Sequence, residues 1–204
     1  VWPIFYRTVL LLGDRLKLTS PMPPSVNHYL GQRVVMKNGR PISITYCTNE
    51  AKKYKREFSE YVLQQVEEQG FDLIPDKMRH FYIDAVFYFP SIDLDCNNYF
   101  KCMLDAITDT QAIWIDDNIT CERVQKIMYD RDNPRIELEI YPVDYIGVFD
   151  NKDQMRSFIS NNCETCRRNK TNCSVLRKAK EGRIQDCIED NSVCQKYVKR
   201  KSGK

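Results

Sequence analysis

Apolar and polar residues alternate over His80–Phe89 and again over Arg135–Tyr141, where Ile136, Leu138 and Ile140 are spaced by Glu137 and Glu139. A period of two predicts strands, the second with one wet face. Thr8–Thr19, rich in Leu and Val, predicts a strand or two with a turn at Gly13-Asp14, and Ile119–Met128 predicts another. Arg33–Lys37 and Pro41–Cys47 flank Asn38-Gly39, a dipeptide that tolerates positive φ at both positions and so signals a hairpin. The period then changes. Tyr54, Phe58, Tyr61, Val62 and Val66 fall three and four apart, predicting a long helix from a Thr48 or Asn49 cap to about Gln69, stopped by Gly70. Phe100, Met103, Leu104 and Ile107 repeat the pattern in a shorter helix, with Asn97 or Asn98 as its expected cap. Proline-rich Pro21–Ser25 and turn-prone Asp130–Pro134 interrupt these elements. Strands and helices so mixed predict an α+β fold, a mixed sheet with flanking helices.

Length and charge divide the chain. Its 204 residues suit one domain and an addition. We read residues 1–143 as the domain, 144–160 as a linker and 161–204 as a small basic module. The 42% hydrophobic content can fill a core. No run approaches the roughly 18 apolar residues of a membrane span. The opening segment lacks a basic start and a small-residue cleavage site, so no signal peptide is expected. The net charge of +3 conceals an asymmetry: residues 151–204 hold 14 Lys/Arg against 6 Asp/Glu, and the remainder 17 against 22. An acidic body suits cations and a basic tail attracts polyanions. Nine cysteines are an odd number, four scattered in the body and five crowded in the tail, which argues against a full disulfide framework and for reduced thiols in a cytoplasmic setting.

The stretch with the most chemistry is Ser91–Asn118. Asp93 and Asp95 precede the short helix, Asp116 and Asp117 follow it, and Trp114 and Ile115 bury the chain in between. On a helix Asn97, Lys101 and Asp105 share one face. Carboxylates meeting beside a lysine suit a hard divalent cation and a phosphate. The plainer reading is that these are caps, turn residues and a solvated Lys101–Asp105 pair.

In the tail, Cys163-x2-Cys166-x6-Cys173 is followed by a helix-like Ser174–Ile188 containing Cys187, and then by Cys194. Four of these five thiols make a zinc site: Cys163, Cys166 and Cys173, with either Cys187 or Cys194 as the fourth. Unliganded thiols, an oxidised pair or an iron–sulfur cluster are the competing readings. Arg167, Arg168 and Lys170 lie among these cysteines and suit phosphate contacts. On the body, Lys52, Lys53, Lys55 and Arg56 form a solvated face or a brace for a phosphate backbone.

Asp95-Cys-Asn-Asn-Tyr-Phe-Lys101, Leu104-Asp-Ala-Ile-Thr108 and Trp114-Ile-Asp-Asp117 resemble the signature of RusA-type Holliday-junction resolvases, Asp-x-Asp-Asn-x-x-Lys, Leu-Asp-Ala-Leu-Thr and Trp-x-Asp-Asp. Pro23-Pro-Ser-Val-Asn-His-Tyr29 is similar to the family's N-terminal Pro-Pro-Ser-x-Asn-x-Tyr. The likeness covers roughly Leu16 to Pro142 and leaves the tail aside. It implies a crossover junction endodeoxyribonuclease, dependent on Mg²⁺ or Mn²⁺, acting in recombination and repair as a homodimer on four-way DNA, in a bacterial or phage-infected cell. Asp95 and Asp117 take acidic metal-ligand positions and Lys101 the catalytic lysine. Asn27, His28, Tyr29 and Arg33 fall in a region that meets DNA. Asn97 stands where the family has its second aspartate, and an amide offers oxygen without charge. Either Asn97 ligates while Asp93 or Asp116 supplies the charge, or the motif is Asp93-Leu-Asp95 with two residues inserted, or the site is weak. The competing functions are a branched-DNA-binding protein without nuclease activity and an adaptor acting through its Cys-rich tail.

Overall fold

The structure is a computed structural model that describes residues 15–71, 79–170, 173–183, 188–189 and 192–200. The chain forms two compact units, Val1–Pro142 and Val143–Lys204.

The first unit is α+β. Its sheet has the order β1 (Leu16–Pro21), β6 (Arg135–Pro142), β4 (Phe81–Phe89), β5 (Thr120–Tyr129). β4 is parallel to β5 and antiparallel to β6, and β1 is antiparallel to β6, so the sheet is mixed. A parallel pair needs a crossover, and α3 (Asn97–Thr110) provides it between β4 and β5. The hairpin of β2 (Leu30–Lys37) and β3 (Arg40–Cys47) turns at Asn38 and Gly39, both at positive φ. A short α1 (Val26–Tyr29) precedes it and α2 (Asn49–Gln69) follows. Thr48 caps α2 through Ala51 N–H, and Gly70, at φ 63°, ends it in the left-handed region.

β4 has the predicted alternation. Phe81, Ile83, Ala85, Phe87 and Phe89 are buried and share one core with Tyr54, Phe58 and Val62 of α2 and with Phe100, Met103, Leu104 and Ile107 of α3. The two helices are tied by Ser59 Oγ donating to Ala106 O at 2.8 Å and by a Lys55–Asp109 ion pair of 2.7 Å. The other sheet face is polar and aromatic. Arg123 lies 3.7 Å over the Tyr82 ring while its guanidinium forks onto Asp84 at 2.7 and 2.8 Å.

Three expectations need correction or restriction. Asn97 and Asn98 are the first helical residues of α3 rather than its cap: Asp95 Oδ1 takes the Asn97 N–H at 3.0 Å, because a carboxylate two residues upstream reaches the same donor. Residues 8–14 of the expected N-terminal strand, with the Gly13-Asp14 turn, lie outside the described residues. The helix expected over Ser174–Ile188 is α5 (Ser174–Lys180) and stops early, since Gly182 turns the chain at φ 68°.

In the second unit, α4 (Lys152–Phe158) occupies part of the segment expected as a linker. Phe149 and Phe158 are fully buried against each other, ring centroids 5.2 Å apart, in a small core with Cys163, Ala179 and Ile188. Gly147 is obligatory here. A Cβ at that position would stand 1.9 Å from Ala179 O, and its φ is 59°. The unit closes with β7 (Ile188–Glu189) against β8 (Val193–Cys194).

Candidate functional site

The acidic stretch is built on rigid supports. β4 ends at Phe89, the chain turns, and Asp95 hands it into α3. One turn into the helix, Lys101 Nζ donates to Asp105 Oδ1 at 2.7 Å and lies 3.9 Å from Asp117 Oδ2. The hydrogen bond to Asp105 holds the Lys101 ammonium above its ordinary range. Partial burial opposes this, and the charges of Asp105, Asp117 and Asp116 add to it. The second oxygen of Asp105 accepts the Tyr29 hydroxyl at 2.5 Å. Burial first, and Asp105 next, push that phenol far above its usual range.

Asp116 and Asp117 are delivered by a tightly tied loop. Gln111 leaves α3 at φ 51°, and its side-chain amide donates to Thr108 O at 2.8 Å and to Ile115 O at 3.0 Å. Trp114, 1% exposed, donates Nε1–H to Thr108 Oγ1 at 2.8 Å and packs on Phe81. Asp116 Oδ1 takes the Asn118 N–H at 3.0 Å, opening the short turn Asp117–Ile119. The loop is held from both sides.

On the other side of Asp95 opens a cleft of about 460 Å³. Asp93, Asp95, Asn27, His28, Glu50 and Asn98 are among its lining residues. The sequence residues are thus sorted. Asp93, Asp95, Asn27 and His28 share the cleft; Lys101 and Asp105 of α3 form a charged triad with Asp117 from the loop after the helix, with Asp116 nearby. Asn97 is exposed and its amide is not part of the cleft lining, whereas Asn98 is. Tyr29, expected to meet DNA, is 7% exposed and spends its hydroxyl on Asp105. Arg33 lies on β2 with its guanidinium 5.5 Å from the Tyr46 ring centroid. Glu50 and Gln111 were not anticipated from sequence, whereas Asn98 was expected as a helix cap and Thr108 as part of the Leu104–Thr108 block. Asn98 and Thr108 each carried a signal, standing in blocks that resemble the family's signature.

Among the described residues, no three His, Cys, Asp or Glu side chains stand together closely enough to hold a metal ion. The donor set around the first turn of α3 is nevertheless all oxygen and mostly carboxylate, which fits a hard divalent cation and not a thiophilic one.

In the second unit, Cys163, Cys166, Cys173 and Cys194 line one small cavity of about 10 Å³. Cys187 lies outside the described residues. Burial pushes the Cys163 thiol up to about 11, and Cys194, Cys173 and Cys166 add to the shift. Arg167 and Arg168 are exposed on the short turn Arg167–Lys170.

The family model for endodeoxyribonuclease RusA matches residues 21–141, from the end of β1 through β6, more than half of the chain. No curated protein matches the chain. Nucleases of the matched family depend on a divalent metal, in keeping with the carboxylates around α3. With the matched span covering the Pro23–Tyr29 block, Lys101 and both acidic clusters, the chain belongs to the RusA family of endodeoxyribonucleases, the RusA-type Holliday-junction resolvases.

Proposed function

We propose that this protein is a Mg²⁺-dependent, structure-selective endonuclease that cuts four-way DNA junctions in recombination and repair. The observation that carries the reading is Lys101, held by Asp105 and 3.9 Å from Asp117 at the helix turn that follows Asp95.

Asp95 and Asp117 would hold the cation, with Asp93, Asp116 and Asn97 as further oxygen donors. A bound Mg²⁺ lowers the pKa of a coordinated water and screens the phosphate. Lys101, kept protonated by its carboxylate neighbours, presents positive charge to the developing negative charge on the phosphoryl or leaving oxygen. Asp105 sets the direction of Lys101, and Tyr29 sets that of Asp105. Asn27 and His28, on the rim of the cleft, and Arg33, on the hairpin, are the contacts proposed for the DNA backbone.

Paired cuts in a symmetric junction need two sites, and hence a twofold dimer. Strand β5 supports this, because among the described residues it is the end strand of the sheet, and its Val124, Ile127, Met128 and Tyr129 are exposed. The second unit is proposed as a basic zinc module whose Arg167, Arg168 and Lys170 hold the junction arms, in the cytoplasm of a bacterial or phage-infected cell.

The test is cleavage of a synthetic four-way junction with Mg²⁺ by the wild type and by Asp117→Asn. Metal-dependent cleavage lost in the variant is expected. Binding without cleavage by either protein would replace this reading with that of a branched-DNA-binding protein, a reading to which Asn97 in place of an acid lends its one specific support.

A further inference from the structure

We propose that the second unit holds one zinc ion on Cys163, Cys166, Cys173 and Cys194, and that the buried side chain of Asn162 latches Cys194 into that set. The inference rests on the reading of this unit as a zinc module and assigns its ligands.

All four residues line a single cavity of about 10 Å³. A space of this size is that of about one water-sized sphere, and a four-coordinate zinc needs little more than its own volume between the sulfurs. Cys163 and Cys166 come from one tight turn, closed by Cys166 N–H donating to Cys163 O at 3.1 Å. Cys173 immediately precedes α5, and Cys194 ends β8. Four positions from three separate segments line one cavity. No three of them stand at metal-binding spacing, so binding must draw the segments together.

Asn162 makes that movement local. It is a buried polar side chain, 9% exposed, directly before Cys163. Its amide nitrogen donates to Phe158 O at 3.0 Å and to Ser192 O at 2.8 Å, while its oxygen accepts Cys194 N–H at 3.1 Å. Three hydrogen bonds satisfy a group that would be costly to bury unpaired. Two of them tie the strand carrying Cys194 to the helical segment that leads into Cys163. Such outer partners fix the direction of metal ligands.

Charge and stability point the same way. A zinc with four thiolates carries a net charge of about −2. Arg168 and Lys196 line the same cavity and offset it. The buried apolar core of the unit is small, with Phe149, Phe158, Ala179 and Ile188 alongside the cysteines. A unit with so little to bury gains most from a metal that converts binding energy into folding energy.

The test uses the full chain, purified under reducing conditions. Elemental analysis should find one zinc per chain, and Co²⁺ titration should give the absorption of a four-thiolate site. Cys194→Ser should shift that cobalt spectrum to three thiolates or lose the metal, and Cys187→Ser should leave both readouts unchanged. Asn162→Ala should keep one zinc at saturation but weaken its hold by about 10- to 100-fold against a competing chelator. A four-thiolate spectrum retained in Cys194→Ser, or lost in Cys187→Ser, overturns the ligand assignment and leaves the zinc module standing. Iron, or no metal, in the wild type overturns both. Junction cleavage is read separately and decides neither.

Discussion

The hydroxyl of Tyr29 donates to Asp105 Oδ2 at 2.5 Å, joining the N-terminal Pro-Pro-Ser block to the helix that carries Lys101. Because the other oxygen of Asp105 holds Lys101 at 2.7 Å, Tyr29 acts on the lysine through the acid. Tyr29→Phe keeps the buried ring and removes the link. We expect kcat for junction cleavage to fall about tenfold, near 1.4 kcal/mol in the barrier, with junction affinity and circular dichroism unchanged. A loss confined to affinity would instead put Tyr29 in contact with DNA.

Lys101 is raised above its ordinary 10.5, chiefly by the hydrogen bond to Asp105. The sign follows: the ammonium is charged through the neutral range, and its contribution fades only as pH rises through the raised value. Removing Asp105's charge removes the largest support. Asp105→Asn should therefore move the alkaline limb of the pH–rate profile, measured between about pH 8 and 11, toward lower pH. Lys101→Ala should abolish that limb and lower kcat by roughly 10²- to 10³-fold, the usual loss on deleting one group that stabilises transition-state charge. An unchanged limb in Asp105→Asn would sink this account of Asp105.

Most of the first unit was legible because its periods are clean. β4 buries every second residue and α2 buries Tyr54, Phe58 and Val62 one and two turns apart, and both stand where the spacing puts them. The hairpin was legible from Asn38-Gly39 alone. What spacing could not reveal was which polar residues meet across the fold. Tyr29 and Asp105 are 76 residues apart, and nothing local in either segment marks the other as its partner. The same holds for Asn98, a neighbour of Asn97 whose place in the cleft depends on where the first turn of α3 begins. In the second unit, Phe149 and Phe158 looked like linker residues because two aromatics nine apart make no period, yet they form a core once Gly147 lets the chain pass Ala179.

The Asp84–Arg123 fork should make stability depend on acid pH. Burial alone would raise the Asp84 carboxyl, but hydrogen bonds from Arg123, Tyr141 and Gln125 outweigh it and hold the group below its ordinary 3.8. A depressed carboxyl contributes stability that is present above the unfolded value and lost as pH falls through the folded one. Asp84→Asn should cost about 1–2 kcal/mol at neutral pH, a charge-assisted pair discounted for its partly exposed arginine. In urea unfolding the gap between wild type and variant should narrow progressively below pH 3.8. A constant gap across that range would mean that the fork acts by packing and not by charge.

Edge strand β5 tests the dimer independently of catalysis. Among the described residues it pairs with β4 alone, and it presents Ile127, at 46% exposure, and Tyr129, at 57%. Isolated domains blunt such edges with charge, and apolar edges recruit another strand. A second copy of the chain is the occupant that the proposed paired cut calls for. Light scattering at micromolar concentration should give the mass of two chains for the wild type and of one for Ile127→Lys, since a lysine on the edge leaves the fold intact while placing like charges face to face. The monomeric variant should nick one strand of the junction and fail to make the paired cut. A wild type that stays monomeric on the junction, or an Ile127→Lys that stays dimeric, would remove β5 as the joining surface.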